Sequence, residues 1–212
     1  QQKRGEKGEM DSFILDVDGT LWDSTPIVAR AWTKALREGG CEREVTQEQL
    51  KGLFGKTMKV IGEELLPDEN PERRQELMEL CCRYEHEYLR EDPCRICYPG
   101  VTETIPELAE RFPVLIVSNC QSGYIELFLE KTGLGPWITD FECYGNTRKN
   151  KGENIRMIIE RNHLKDPVYV GDTNGDREAA REAGIPFVWA SYGFGEPGDW
   201  DGRIKKFSEL LK

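Results

Sequence analysis

The sequence predicts an α/β protein with a mainly parallel sheet, interrupted after its first strand by an all-helical insert. A short apolar run at 13–15, just ahead of the turn signal Gly19-Thr20, predicts a buried first strand. From residue 100 onward, short apolar runs alternate with helical patterns, which implies right-handed crossovers between parallel strands. Residues 25–99 carry helical patterns and no convincing strand pattern.

The insert is predicted to contain four helices, because its periodic stretches have capping or helix-breaking residues at their ends. These helices cover 25–38, a stretch that begins at 46, then 58–66, and 71 to about 90. Pro26 and Pro71 suit a first helical turn, where the missing N–H has no helical partner to lose. Pro93 and Pro99 close the insert, so we predict a core of 10–24 and 100–212 and a helical unit of 25–99.

The second part of the chain is predicted to supply the rest of the sheet. Its predicted strands are 114–117, 141–144, 168–170 and 187–190, and its predicted helices are 123–131, 153–161 and 177–183. In open parallel sheets ligands bind beyond the carboxyl ends of the strands, so the residues that follow each strand are the candidate site.

The net charge of the chain limits the classes of partner that it could bind. The chain has 29 basic and 39 acidic residues and a net charge of −10, which argues against a general nucleic-acid or anionic-membrane surface. No apolar run approaches the roughly 18 residues of a membrane span, and no signal-peptide pattern is present. We expect a cytoplasmic protein, a monomer or weak dimer. Residues 1–9 are predicted to be a disordered lead-in or a cloning remnant, with Met10 as a natural start.

The seven cysteines lack the spacing of a secreted disulfide framework, which predicts reduced thiols. Cys82, His86, Cys94 and Cys97 raise a structural zinc site as an alternative. The favoured interpretation is ordinary packing, because a single CxxC is a weak motif.

Two carboxylates, Asp16 and Asp18, follow the first strand and are predicted to point to the same face. Two buried acids repel each other and lose solvation unless a cation or a proton compensates them. A polar exit from strand to turn through Asp18-Gly19 is the alternative, since such turns are common.

Polar residues also follow two later strands. Ser118-Asn119 comes at the end of one, where a hydroxyl and backbone N–H groups suit an oxyanion, although a helix cap would look the same. Asp172 and Asp176 follow another, and their carboxylate oxygens suit Mg²⁺, although Asp172 alone could cap the next helix. Lys149 or Lys151 could balance these acids, although a solvated basic loop is an alternative.

In this chain order the segments resemble the haloacid dehalogenase-like hydrolase superfamily. The matching residues are Asp16-Val-Asp18-Gly-Thr for its first motif, Ser118-Asn119 for its second, Lys151 for its third, and Gly171-Asp172 with Asp176 for its fourth. The resemblance runs from about residue 12 to the end. It implies a Rossmann-like core and identifies the helical insert as that superfamily's C1 cap. Within the superfamily, the chain is similar to the subgroup of phosphoglycolate phosphatase and β-phosphoglucomutase.

The resemblance implies a Mg²⁺-dependent phosphatase that hydrolyses a small phosphomonoester through an aspartyl-phosphate. Asp16 would be the nucleophile and Asp18 the general acid and base. The implied phosphate-binding residues are Ser118, Asn119, Gly19 and Lys151. The implied metal ligands are Asp16, the backbone oxygen of Asp18, and Asp172, with Asp176 orienting Lys151 or a metal-bound water. Lys151 is preferred to Lys149 because it stands directly before a helix, as the family's lysine does.

Three rival functions remain open. A phosphosugar mutase is the first, although Gly55-Lys56-Thr57-Met58 lacks the arginine that β-phosphoglucomutases place in their cap. A non-catalytic phosphate-binding module is the second, although every charged motif residue is retained. A phosphatase acting on a polymer is the third, although a cap favours small molecules.

Substrate contacts are expected from the cap. Lys56, Thr57 and His86 are the candidates, and Trp22 is expected near the cap hinge, with surface charge or packing as the alternative for each. Trp32, Trp137 and Trp189 are predicted to pack in the core.

Overall fold

The computed structural model describes residues 9–212, and its centre is one six-stranded sheet with the order β3-β2-β1-β4-β5-β6, parallel throughout. The strands are β1 (Ser12–Leu15), β2 (Val114–Ser118), β3 (Asp140–Cys143), β4 (Pro167–Gly171), β5 (Phe187–Ala190) and β6 (Gly202–Ile204). The α/β fold class is therefore confirmed. Of the predicted lead-in at 1–9, residues 1–8 lie outside the described residues.

Nine α-helices occur within the described residues 9–212. They are α1 (Thr25–Glu38), α2 (Gln47–Leu53), α3 (Met58–Leu65), α4 (Pro71–Glu91), α5 (Val101–Ala109), α6 (Tyr124–Thr132), α7 (Tyr144–Thr147), α8 (Lys151–Arg161) and α9 (Asn174–Ala183). The first four lie between β1 and β2, so the all-helical insertion is confirmed as well.

The cap is held together by its own apolar faces. Trp32 on α1 is fully buried, as are Leu77 and Leu89 on α4, and α1 and α4 pack side by side. Polar residues start these helices as the sequence indicated: Thr46 makes a capping box with Gln49, and so satisfies backbone N–H groups that have no helical partner.

Cap and core are joined by two chain segments that run side by side. The N–H of Asp23 donates to the carbonyl of Ile96 at 2.9 Å, and the N–H of Tyr98 donates to the carbonyl of Leu21 at 3.0 Å. Trp22, expected near a hinge, lies between these bonds and is fully buried. The two crossings therefore form a narrow connection directly beside the end of β1.

Several details differ from the sequence-based expectation. Strand β6 and helix α5 were not predicted, the former because three residues give no alternation and the latter because Pro106 stands inside it. Trp137 was wrongly assigned to the core, since 42% of it is exposed in a short 3₁₀ helix. Asp172 does not cap α9, because Thr173 does so by accepting from the N–H of Asp176.

Helices of the described chain are all too short or too polar to cross a bilayer. The residues of the zinc alternative do not assemble. In residues 9–212 the one group of three acidic, histidine or cysteine side chains with closely spaced ligand atoms is formed by aspartates. Cys94 instead contacts the carbonyl of Leu89, and His86 contacts Arg90 on the same helix.

Candidate active site

The candidate site lies beyond the carboxyl ends of the three central strands. Asp16 directly follows β1, Ser118 ends β2, and Asp172 directly follows β4. The N–H of Asp16 donates to the carbonyl of Val170 at 2.9 Å, which continues the sheet one residue beyond the strand. Sheet pairing therefore fixes where Asp16 stands, and its side chain is only 3% exposed.

Three buried carboxylates converge at this edge. One oxygen from each of Asp16, Asp172 and Asp176 lies within 4.8 Å of the other two. Burial, followed by the nearby Asp176, raises the pKa of Asp16 to about 8. Burial, Asp176 and Asp16 raise the pKa of Asp172. A cation is the natural remedy for such crowding, so the group is a candidate metal site.

Lys151 supplies the positive charge inside the cluster. Its ammonium lies 2.6 Å from Asp176 and 3.3 Å from Asp16, and its side chain is only 4% exposed. Burial alone would lower the pKa of this lysine, but the two carboxylates raise it overall. Lys149 is exposed, so the structure places Lys151 rather than Lys149 at the carboxylates. Lys151 is the first residue of α8, and the cap Asn150 fixes its position.

Asp176 is saturated by donors. Its Oδ1 accepts from Lys151 and, at 3.4 Å, from the hydroxyl of Tyr169. Its Oδ2 accepts from the N–H groups of Asp172 and Thr173, both at 3.0 Å. Burial would raise the pKa of Asp176, but Lys151 and the N–H donors lower it overall. Asp176 therefore stays ionised and holds Lys151 and the loop after β4 in place.

Gly19 stands where only glycine fits. Its φ is +80°, and a Cβ there would lie 2.1 Å from the Oδ2 of Asp172. Its N–H donates to the carbonyl of Trp22 at 2.9 Å, so that group is already used within the turn. The structure thus gives Gly19 a role in bringing the loop against Asp172, and the phosphate contact that the resemblance implied for it stays a prediction.

Asp18 is held by three donors on one oxygen. Its Oδ1 accepts from the hydroxyl of Tyr124 at 2.6 Å, from the hydroxyl of Ser24 at 2.9 Å, and from the indole of Trp22 at 3.1 Å. Burial raises the pKa of Asp18 to about 6, and these donors oppose the rise. A carboxyl with that pKa exchanges a proton readily near neutral pH.

Sequence reasoning did not find Tyr124 and Ser24. Tyr124 begins α6 and sits 106 positions away from Asp18, and no local pattern signals such a contact. Ser24 was not singled out, and although it precedes α1 its side chain makes no cap bond. Its closeness to Asp18 in the sequence was the available signal.

The second predicted motif splits between two tasks. Ser118 is buried and faces the cavity described below. The side-chain Nδ2 of Asn119 donates to the carbonyl of Gly55 in the cap at 2.8 Å. Asn119 therefore ties the core to the cap with its amide nitrogen, which leaves its Oδ1 for other partners.

A cavity of about 30 Å³ separates the core from the cap. Its core wall includes Asp16, Asp18, Ser118, Asn119, Gln121 and Tyr124. Its cap wall includes Trp32, Phe54, Lys56, Met58, Ile61 and Glu85. This space is far below the roughly 300 Å³ at which small-molecule pockets begin, so the cap is closed over the carboxylates.

The predicted cap contacts have different outcomes. Lys56 lines the cavity, and its ammonium is bound by both oxygens of Glu64 at 2.8 Å. Thr57 and His86 are not part of the cavity wall. Glu85, which lies beside His86 in the chain, is the cap residue that sequence reasoning missed.

Comparison with known proteins identifies relatives of this chain by sequence and by fold. The protein-family model of haloacid dehalogenase-like hydrolases matches residues 13–190. A phosphoglycolate phosphatase of Vibrio cholerae is 29% identical over 198 residues, which cover 87% of this chain and 87% of that protein. One from Vibrio vulnificus is 27% identical over 202 residues, covering 89% and 88%.

Solved structures share the fold. A protein from Haemophilus somnus described as a predicted phosphoglycolate phosphatase superposes with a TM-score of 0.84 at 21% identity, covering 95% of this chain and 96% of its own. CbbY from Rhodobacter sphaeroides, solved in complex with phosphate, gives 0.81 at 16% identity, covering 95% and 96%. The sheet, the inserted cap and the match across 13–190 together show that this chain belongs to the haloacid dehalogenase-like hydrolase family.

Proposed function

We propose that the protein is a Mg²⁺-dependent phosphatase that hydrolyses a small phosphomonoester through a phosphorylated Asp16. The observation that carries this proposal is Lys151, whose buried ammonium lies between Asp16 and Asp176. An anionic nucleophile approaches an anionic phosphate only when positive charge offsets the repulsion between them. Lys151 supplies one such positive charge from the protein itself. A metal cation held by the neighbouring carboxylates would supply a second.

Asp16 and Asp18 divide the chemistry between them. An Asp16 oxygen forms a bond to phosphorus while the bond to the leaving oxygen breaks, and the Asp18 carboxyl gives that oxygen its proton. Asp18, now ionised, takes a proton from water. The water oxygen then bonds to phosphorus, the bond to Asp16 breaks, and phosphate leaves. Tyr124 and Ser24 hold Asp18 in place for both proton transfers.

The donor set fits Mg²⁺, because hard cations prefer carboxylate and carbonyl oxygens. We assign Asp16, Asp172 and the backbone oxygen of Asp18 as its ligands. Asp176 is assigned to orient Lys151, since both of its oxygens already accept from protein donors. When bound, the ion supplies positive charge to the transferring phosphoryl oxygens.

Phosphate binding is assigned to Ser118, Lys151 and the backbone at 118–119. Ser118 and Asn119 face the cavity, and Lys151 stands beside Asp16. The side-chain amide of Asn119 contributes less directly, because it binds the cap at Gly55. The small cavity means that the cap moves away to admit substrate and closes again before the chemistry.

The test is hydrolysis of p-nitrophenyl phosphate by purified protein with and without Mg²⁺. We expect turnover that needs the metal, stops with a chelator, and is lost in D16N. Absence of turnover across aryl and alkyl phosphomonoesters would overturn the phosphatase and favour a binding module. Conversion of a hexose 1-phosphate to its isomer with a bisphosphate primer, without release of phosphate, would establish the mutase instead.

A further inference from the structure

The cap places one carboxyl in the cavity that the proposed chemistry does not use. Glu85 lies on α4, is only 3% exposed, and lines the cavity together with Asp16 and Asp18. Buried acids without a task are rare, because the charged form loses its solvation. The side chain therefore needs an explanation beyond the folding of the cap.

Both oxygens of Glu85 are held, one from the cap and one from the core. The indole N–H of Trp32 donates to Oε2 at 2.8 Å, and the amide of Gln121 donates to Oε1 at 2.6 Å. Burial raises the pKa of Glu85 to about 8, and the charge of Asp18 adds to the rise. Each oxygen retains a lone pair for one more donor.

A second acceptor faces the same space. The Oδ1 of Asn119 is buried and finds no donor among the described residues, since its Nδ2 is committed to Gly55. An unpartnered acceptor in a cavity signals a donor on the ligand that fills it. Glu85 and Asn119 thus offer acceptors from opposite walls.

Positive charge is scarce on the cap side. Lys56 is the basic residue of the cavity's cap wall, and its ammonium is neutralised by Glu64. The remaining cap wall is apolar, with Trp32, Phe54 and Ile61 as its large members. A substrate carboxylate would therefore find Glu85 and apolar side chains on the cap wall instead of a free counter-ion.

We propose that Glu85 is a specificity-determining residue that selects phosphomonoesters whose alcohol carries a hydroxyl or ammonium donor and rejects those that carry a carboxylate. This inference rests on the proposed phosphatase activity. A donor on the leaving group pairs with Glu85 and with the Oδ1 of Asn119. A carboxylate at the same place would approach two acids, the buried Glu85 and the partly buried Asp18, and leave Asn119 unpaired.

The test compares kcat/KM for glycerol 1-phosphate, ethanolamine phosphate and 2-phosphoglycolate, with p-nitrophenyl phosphate as the reference substrate. The wild type should prefer at least one donor-bearing substrate to 2-phosphoglycolate by about 10-fold or more. Glycerol 1-phosphate carries hydroxyl donors and ethanolamine phosphate carries an ammonium, so their rates show which donor the site prefers. A preference of the wild type for 2-phosphoglycolate would overturn the inference.

Substitutions at position 85 test whether Glu85 causes this substrate preference. In E85Q the preference over 2-phosphoglycolate should fall by about 10-fold, most for the ammonium substrate, because the amide keeps an acceptor but cannot ionise beside a bound ammonium as a carboxyl can. E85D keeps the carboxyl and should keep the preference. E87Q, an exposed neighbour on the same helix, is the matched control and should behave as wild type.

Failure of the inference and failure of the proposed function look different. If p-nitrophenyl phosphate and every other phosphomonoester stay intact, the proposed function fails and the inference falls with it. If they are hydrolysed but the ratios are unchanged in E85Q, only the role of Glu85 is wrong. If E85Q does not fold, the wild-type ratios and E85D still decide the matter.

Discussion

The core wall and the cap wall of the cavity are built on different principles. Charge is concentrated at and directly behind the core wall: Asp16 belongs to that wall, and Asp172, Asp176 and Lys151 cluster with it, all less than 5% exposed. The cap wall is mostly apolar, with Glu85 as its buried carboxyl. In our proposal, charge in the core serves a reaction common to a family, whereas the shape and the single acid of the cap serve the choice of substrate.

The two walls are also held differently. Core side chains sit at the ends of paired strands, so sheet geometry positions them, and Asp176 locks Lys151. Glu85 instead depends on Trp32 from α1 and on Gln121 across the cleft. The cap acid therefore reaches its full set of contacts only when the cap is closed, while the core cluster is complete by itself.

The largest effect should come from removing Lys151, the lysine behind the core wall. K151M leaves Asp16 and Asp176 without their counter-charge, so we expect a loss of kcat of about 100-fold or more and of stability by about 3–5 kcal/mol. K149M removes the same charge from an exposed site and should change neither. Urea unfolding and p-nitrophenyl phosphate turnover measure both. Equal losses in the two variants would show that the wrong lysine has been chosen.

The pH dependence of the free energy of unfolding reports on Glu85 in the cap wall. Glu85 has a folded pKa of about 8, above the ordinary value of 4.5, so the folded state holds a proton that the unfolded state releases. The stability of the wild type relative to E85Q should therefore fall as pH rises from about 4.5 to about 8, by on the order of 5 kcal/mol. Metal-free urea unfolding at several pH values, with E87Q as reference, measures this difference. A constant difference across that window would mean that Glu85 is ionised and solvated.

Metal binding should stabilise the folded protein through the core carboxylates and not through Glu85 in the cap. Mg²⁺ at about 100 times its dissociation constant should stabilise the protein by about 2.7 kcal/mol, because the ion offsets the repulsion among the carboxylates. D172N should lose this gain, whereas E85Q should keep it. Thermal unfolding with and without Mg²⁺ gives the comparison. A gain that survives in D172N would place the metal elsewhere.

The smallest effect should come from the donor that positions Asp18. Y124F removes the 2.6 Å bond to the Asp18 carboxyl and should slow an alkyl phosphate by about 10-fold more than p-nitrophenyl phosphate. The reason is that an alkoxide needs a proton to leave and p-nitrophenolate does not. Y88F, a tyrosine of the cap helix, serves as the control. Equal losses on both substrates would reduce Tyr124 to a packing role.

The core wall could be predicted from sequence because its residues follow strands whose apolar runs are legible. Asp16, Ser118 and Asp172 each stand at such an end, and parallel strands bring their carboxyl ends to one edge. The acids and the lysine that the sequence singled out, Asp16, Lys151, Asp172 and Asp176, lie together in the structure. The starts of helices α8 and α9 were predicted two and three residues too late, because Asn150 and Thr173 were not recognised as caps, while their ends were predicted correctly.

The cap wall could not be predicted in the same way. Glu85 is one of several glutamates on α4, and only the packing of α1 and of the loop after β2 buries it. The contact of Tyr124 with Asp18 is likewise long-range. Trp137 shows the converse error, since an aromatic residue beside apolar neighbours was assigned to the core and is exposed instead.

The most direct test of the account is a search for phosphate on Asp16. Acid-quenched protein that has reacted with p-nitrophenyl phosphate and Mg²⁺ would be digested, and the peptide of residues 12–24 examined by mass spectrometry. We expect a phosphorylated Asp16 that accumulates in D18N, because its amide cannot take the proton from water, and that is absent in D16N. Turnover in D16N at the wild-type rate, or no phosphopeptide in D18N despite a burst of p-nitrophenol, would contradict the account.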